Sequence, residues 1–255
     1  MKKIIFKKKP IVCLTAYNKF FAEMVDDYCD LILVGDSLGM AYYGNSSTRS
    51  VSLNDIIRHA KSVRMGISKS IMVVDMPSGT YSTPAIAIKN AKKIIKETKC
   101  DAIKIEGGKE VEKTIKLLVK NKINVMGHIG LLPQKIKSIK DFKVKGKNLN
   151  ESKKLINDLK CIEDAGVFSV VVEAVKAQVV KNLITISSTP LIGIGASKNC
   201  DGQILVLEDL IGFFDRVPKF VKKYMNLKKQ VTNAVKKYSA DVRNRKFPTH
   251  KNIYY

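Results

Sequence analysis

Eight short apolar runs, interspersed with longer stretches of helical periodicity, constrain this chain more than any other feature. The runs are Ile11–Thr15, Leu31–Val34, Ile71–Asp75, Ala102–Ile105, Asn124–Gly127, Ser169–Glu173, Leu191–Ile194 and Ile204–Leu207. Their near-continuous apolar character is that of parallel strands covered on both faces, because a strand with one wet face alternates instead. Helical patterns lie between them, over Asn54–Gly66, Pro84–Thr98, Glu110–Lys120, Glu151–Ala165 and Val175–Ile186. Ser52 or Asn54 is placed to cap the first of these, and Thr83 precedes Pro84, which suits a first helical turn. Gly66 and Gly166 stand where helices commonly end in a left-handed residue. Eight strands with helical crossovers imply a single (β/α)8 TIM barrel. An open doubly wound sheet is the rival, since strand number does not establish closure.

At 255 residues and 45% hydrophobic composition, the chain is long enough for one such barrel. No linker, repeat or low-complexity tract divides it. A single catalytic domain over residues 1–255 is therefore expected, with a basic helical segment from about Pro218, including the pattern Tyr224–Arg243, outside the barrel. The apolar runs are far shorter than a membrane span. Met1–Pro10 is basic but leads into no apolar stretch with a small-residue cleavage site, so no signal peptide is expected. Cys13, Cys29, Cys100, Cys161 and Cys200 are odd in number and contain no CxxC pair, which suits reduced core thiols of a cytoplasmic protein.

The charge balance raises the question of nucleic acid: 46 Lys+Arg stand against 23 Asp+Glu, a net charge of +23. The lysines, however, are scattered over nearly every helical pattern instead of forming one stripe. No aromatic-rich RNA-binding signature or zinc-finger spacing accompanies them. Lysine spread over tolerant surface positions is the favoured reading, with weak attraction to anions and no specific nucleic-acid partner. One lysine-rich connection, Leu132–Asn150, is longer than compact domains usually allow without a function.

Barrel active sites lie at the C-terminal ends of the strands. There this chain places Asp36 and Ser37 after the second run, Asp75 at the end of the third, and Lys104 and Glu106 at the fourth. His128 and Glu173 end the fifth and sixth. Singly, each has an ordinary explanation: an Asp after a strand is often a helix cap, and a lone His is often a satisfied core residue. As a set they are costly, because burying several carboxylates at one mouth requires compensating cations or protons. One lysine does not neutralise them. A hard divalent cation with oxygen ligands would, and at such a site it would polarise a carbonyl and stabilise an enolate. The chemistry so predicted is proton abstraction beside a carbonyl, with the substrate left open.

The same residues sit in stretches that resemble the ketopantoate hydroxymethyltransferase family. These are Leu14-Thr-Ala-Tyr17, Leu33-Val-Gly-Asp-Ser-Leu-Gly-Met40, Asp75-Met-Pro77, Lys104-Ile-Glu-Gly-Gly108, Gly127-His-Ile-Gly130, Val172-Glu173, Gly193-Ile-Gly-Ala196 and Cys200-Asp-Gly-Gln203, in the family's order and spanning nearly the whole chain. The resemblance implies a TIM barrel of the phosphoenolpyruvate mutase/isocitrate lyase type. It implies transfer of a hydroxymethyl group from 5,10-methylenetetrahydrofolate to 3-methyl-2-oxobutanoate (ketoisovalerate), giving ketopantoate and tetrahydrofolate in pantothenate, and hence coenzyme A, biosynthesis. It places Mg2+ on Asp36 and Asp75, with Glu106 as a further, water-bridged ligand. The keto acid would contact the metal, Asp36, Ser37, Asp75, Lys104 and His128, and Glu173 would accept the proton. A homo-decamer is the assembly it implies.

Ser197, Leu132 and Asn18 stand where the family more often has Gly, Thr and Asp; none is a proposed ligand. A related metal-dependent lyase or mutase acting on another keto acid, and a basic nucleic-acid-binding protein on an old barrel, are the competing readings. The lysines of the long connection, Lys135, Lys137, Lys140, Lys143, Lys145 and Lys147, suggest attraction for the glutamate tail of folate, against the plainer alternative of a solvated basic loop.

Overall fold

The apolar runs become β1 (Ile11–Thr15), β2 (Leu31–Val34), β3 (Ile71–Asp75), β4 (Ala102–Glu106), β5 (Val125–Gly130), β6 (Ser169–Glu173), β7 (Leu191–Ile194) and β8 (Gly202–Leu205). They are seen in a computed structural model that describes residue 6 and residues 10–136 and 142–255; most of the basic stretch before Pro10, together with Lys137 and Lys140, lies outside these. Each strand pairs in parallel with the next, and β1 pairs with β8, so the sheet closes into an eight-stranded barrel and the open-sheet alternative is excluded.

Three strands differ from the sequence reading, β4 only by its extension through Glu106. β5 continues to Gly130 because Glu106 pairs with His128 and Gly130 with Glu173, which places His128 inside the strand instead of at its end. β8 begins two residues earlier than the apolar run and gives way to a helical turn at Leu207.

The interior shows how the strands position the site. Alternate residues of a strand share one face. Leu31 and Leu33, Val73, Ala102, Met126, Val171 and Ile192 all belong to one buried apolar cluster. Two or four residues further along the same parity stand Asp75 on β3, Lys104 and Glu106 on β4, His128 on β5 and Glu173 on β6. The inward face is thus apolar at one end and ionised at the other.

Between the strands lie α1 (Lys19–Asp26), α2 (Leu38–Tyr42), α3 (Leu53–Arg64), α4 (Pro84–Thr98), α5 (Glu112–Lys120), α6 (Leu149–Asp164) and α7 (Ala177–Ile186). Ser52, not Asn54, caps α3, in a reciprocal box with Asp55. Thr83 caps α4 by accepting from the Ile86 N–H, and Asn18, the residue that departs from the family pattern, caps α1 by accepting from Phe21. Gly166 is left-handed as expected, with φ +97°. Gly66 is not among the positive-φ residues; it is required by close approach instead, since a Cβ there would lie 2.4 Å from the Lys19 carbonyl oxygen. Ser197 likewise keeps an ordinary φ, so the lost glycine demands no unusual torsion.

By contact pattern the chain divides into two units, Met1–Val206, which holds the barrel, and Leu207–Tyr255. The second contains α8 (Leu207–Leu210) and α9 (Leu227–Arg243). α9 starts three residues later than its sequence pattern, where Asn226 accepts from the Lys229 N–H. All five cysteines are unbridged, and all but Cys161 are buried. Among the described residues no helix is long and apolar enough to cross a membrane.

Candidate active site

The inward, C-terminal end of the barrel gathers Asp36, Asp75, Lys104, Glu106 and His128, every one buried, with Glu173 at its edge. All the residues singled out in the sequence at these strand ends are therefore brought to one place. Asp36 does not act as a helix cap. Its backbone N–H donates to Asp75 Oδ2 at 3.0 Å, and its own Oδ2 accepts from Gln134 Nε2 at 2.8 Å. Ser37, at the start of α2, makes no capping bond; its hydroxyl pairs with the buried Tyr17 hydroxyl at 2.7 Å. The Tyr17 carbonyl oxygen in turn lies 2.6 Å from Nδ1 of His59 on α3.

Lys104 Nζ sits 2.7 Å from Asp75 Oδ1, a pairing that follows from the β3–β4 register, in which these two residues are opposite. The next pair in register, Glu106 and His128, brings Nδ1 of the imidazole within 3.6 Å of Glu106 Oε1. Its Nε2 lies 3.2 Å from Glu173 Oε2. The Glu173 side chain is 12% exposed against 2% for His128, so of this pair Glu173 has access to an incoming molecule.

The electrostatics are those of a cluster short of positive charge. Burial, then repulsion from Asp75 and Glu106, pushes the Asp36 carboxyl well above the ordinary range. Burial also raises Asp75, held in check by the Lys104 charge. Burial acts upward on Glu106 too, yet hydrogen bonds and charge from His128, with Lys104 and the Gln134 N–H, leave it lowered. Burial and Lys104 act downward on His128, but Glu106 and Glu173 outweigh them and raise it to about 9. Lys104 stays protonated because Asp75, Glu106 and Asp36 overcome its desolvation.

Two participants carried no sequence signal. Gln134 donates its backbone N–H to Glu106 Oε2 at 3.1 Å and its amide to Asp36 and to the Met76 carbonyl oxygen at 3.0 Å. The Tyr81 hydroxyl donates to the Gln134 amide oxygen and reaches the Glu106 carbonyl oxygen at 3.4 Å. Among the described residues, no three His, Cys, Asp or Glu side chains converge as a ready-made metal cage. The donors nonetheless suit a hard cation. They are carboxylate oxygens, Asp36 is held at a raised pKa by burial and then by like charge, and Mg2+ typically takes one or two carboxylates with waters and substrate oxygens completing its shell.

Comparison with known proteins gives this site its context. The family model described as ketopantoate hydroxymethyltransferase matches residues 1–250. A 3-methyl-2-oxobutanoate hydroxymethyltransferase of Pelagibacter ubique is 53% identical over 247 residues, covering 97% of this chain and 95% of that protein. One from Rhizobium etli is 47% identical over 242 residues, covering 94% and 89%. Among solved structures, phosphoenolpyruvate phosphomutase from Streptomyces platensis subsp. rosaceus superposes with a TM-score of 0.63 at 10% identity, covering 92% of this chain and 83% of that one. A phosphonopyruvate hydrolase solved with oxalate and Mg++ gives 0.61 at 10% identity, covering 95% and 88%. At that identity the likeness is one of fold.

Proposed function

Because the chain belongs to the ketopantoate hydroxymethyltransferase family, and is thus an enzyme that transfers a hydroxymethyl group to 3-methyl-2-oxobutanoate, we propose how its own residues divide the work. Asp36 and Asp75 would hold Mg2+, with Glu106 as a further carboxylate toward it. When bound there, the ion supplies Lewis acidity that polarises the keto group and stabilises the charge developing on its oxygen. Lys104 offers a compact positive charge to the keto acid. Ser37, oriented by Tyr17, contacts the same substrate, and His128 lines the site beside it. Glu173 accepts the proton from carbon 3, leaving an enolate whose carbon bonds to the methylene carbon of the donor. Water supplies the hydroxyl oxygen, both carbon–nitrogen bonds to the folate break, and its nitrogens take up the carbon-3 proton and one proton of that water.

The observation that carries this reading is the charge imbalance of one cluster: four carboxylates, Asp36, Asp75, Glu106 and Glu173, face only two cationic groups, Lys104 and His128. The like-folded hydrolase crystallised with Mg++ and oxalate, a small dicarboxylate, is consistent with it. Glu173 fits the base because it is the carboxylate with access, with His128 Nε2 3.2 Å from it. The one-carbon donor is 5,10-methylenetetrahydrofolate, the working assembly is a homo-decamer, and the compartment is the cytoplasm; family membership supports all three. Asp75→Ala tests the metal assignment. A magnesium titration should show activity rising only at far higher Mg2+ than in the parent, and an unchanged titration would remove Asp75 from the metal site.

A further inference from the structure

The cluster is not held by its strands alone, and Gln134 is the residue that joins it together. It stands in a helical turn, Pro133–Lys135, beyond β5, with its side chain buried. All of its hydrogen-bond donors are used. Nε2 donates to Asp36 Oδ2 at 2.8 Å and to the Met76 carbonyl oxygen at 3.0 Å, Oε1 accepts from the Tyr81 hydroxyl, and the backbone N–H donates to Glu106 Oε2 at 3.1 Å. This set fixes which way the amide points. A flipped amide would set its oxygen against a carbonyl oxygen and a carboxylate, with both contacts repulsive. One residue beyond β5 therefore links groups at the ends of β2, β3 and β4, through its side chain to Asp36, Met76 and Tyr81 and through its backbone N–H to Glu106.

We infer that Gln134 is a positioning residue for the cation site, with Tyr81 fixing its amide. By occupying Oδ2 of Asp36 it leaves Oδ1 to face a ligand, and by holding Oε2 of Glu106 it leaves Oε1 toward His128. A single residue thus orients two carboxylates, one just after β2 and one at the end of β4. The inference rests on the proposed cation site.

The test uses Mn2+ alone as the probe, with binding to the purified full chain followed by electron paramagnetic resonance. Gln134→Met keeps the volume and removes every side-chain hydrogen bond. The dissociation constant should rise about tenfold, the scale of one hydrogen bond to a charged group. Tyr81→Phe, which removes only a hydroxyl, should shift it in the same direction by less, and the double variant should bind no more weakly than Gln134→Met alone. A Gln134→Met protein that is folded by circular dichroism and binds Mn2+ as the parent does would overturn the inference. If Gln134→Met fails to fold, parent-like Mn2+ affinity in Tyr81→Phe overturns it instead. Asp36→Asn separates the two claims: equal binding by parent and Asp36→Asn refutes the cation site itself, whereas weakened binding there with parent-like binding in Gln134→Met refutes only the role of Gln134.

Discussion

Replacing Lys104 by Met removes the one permanent cation of the cluster while nearly conserving volume. Its Nζ lies 2.7 Å from Asp75 Oδ1, and both side chains are buried. At an effective dielectric of about 20, such a contact is worth about 6 kcal/mol of gross attraction. Desolvation of both ions offsets part of this in the parent. The variant, however, keeps the cost of burying Asp75 without the attraction, a situation that typically destabilises by about 3–5 kcal/mol.

The pH dependence gives the sign. Lys104 lowers the Asp75 carboxyl against burial, so removing it raises that folded-state pKa further above the unfolded value. A carboxyl raised on folding costs nothing while protonated in both states. It destabilises progressively as pH climbs past the unfolded value toward the folded one. The deficit of Lys104→Met should therefore be greatest near neutrality and shrink as pH falls toward the ordinary carboxylate range. Urea unfolding of metal-free protein at several pH values measures this, with Asp75→Asn and the double variant completing a cycle. The double variant should recover roughly half the loss or more, because the uncompensated charge is gone. A loss under about 1 kcal/mol at neutral pH, or additive effects in the cycle, would refute the view that this pair is buried and coupled.

Other consequences are equally open to measurement. Glu173→Gln should lower kcat by about 10^2–10^4 with little change in the keto-acid KM, and a raised KM at unchanged kcat would show that Glu173 binds and does not move the proton. His128, raised to about 9 in the folded protein, should contribute stability that is complete below about pH 6.5 and lost as pH rises through 9. Thermal unfolding of metal-free parent and His128→Gln across pH 6–10 should converge at the alkaline end, and a constant gap would contradict the shift. Gly130 has φ +98°, and a Cβ there would lie 2.3 Å from the Glu173 carbonyl oxygen. Gly130→Ala should thus cost about 3 kcal/mol or more and depress activity through Glu173, detectable by chemical denaturation beside steady-state rates.

Much of this was legible in the sequence because a barrel strand writes its inward face at every second residue. Val73 and Asp75, Ala102, Lys104 and Glu106, or Val171 and Glu173 show the change from apolar filling to ionised mouth within five residues. Closure follows from parallel pairing around all eight strands, and no local pattern encodes the last of those pairings. Gln134 was not legible: it is neutral, follows no periodicity, and meets Asp36 across 98 residues of chain. Tyr81 shares that obscurity, lying in the connection between β3 and α4. The short helices α1 and α2 offered too few turns for periodicity, and Gly66 was assigned to a left-handed turn when the physical demand is contact with the Lys19 backbone.

The central claim is that this cluster, loaded with a divalent cation, makes ketopantoate. The most direct measurement incubates the purified protein with 3-methyl-2-oxobutanoate and 5,10-methylenetetrahydrofolate and quantifies ketopantoate, with and without a chelator. Product should form, disappear when the metal is stripped, and return when Mg2+ is restored. Ketopantoate formation that ignores the chelator, or none at all from folded, magnesium-replete protein, would contradict the account.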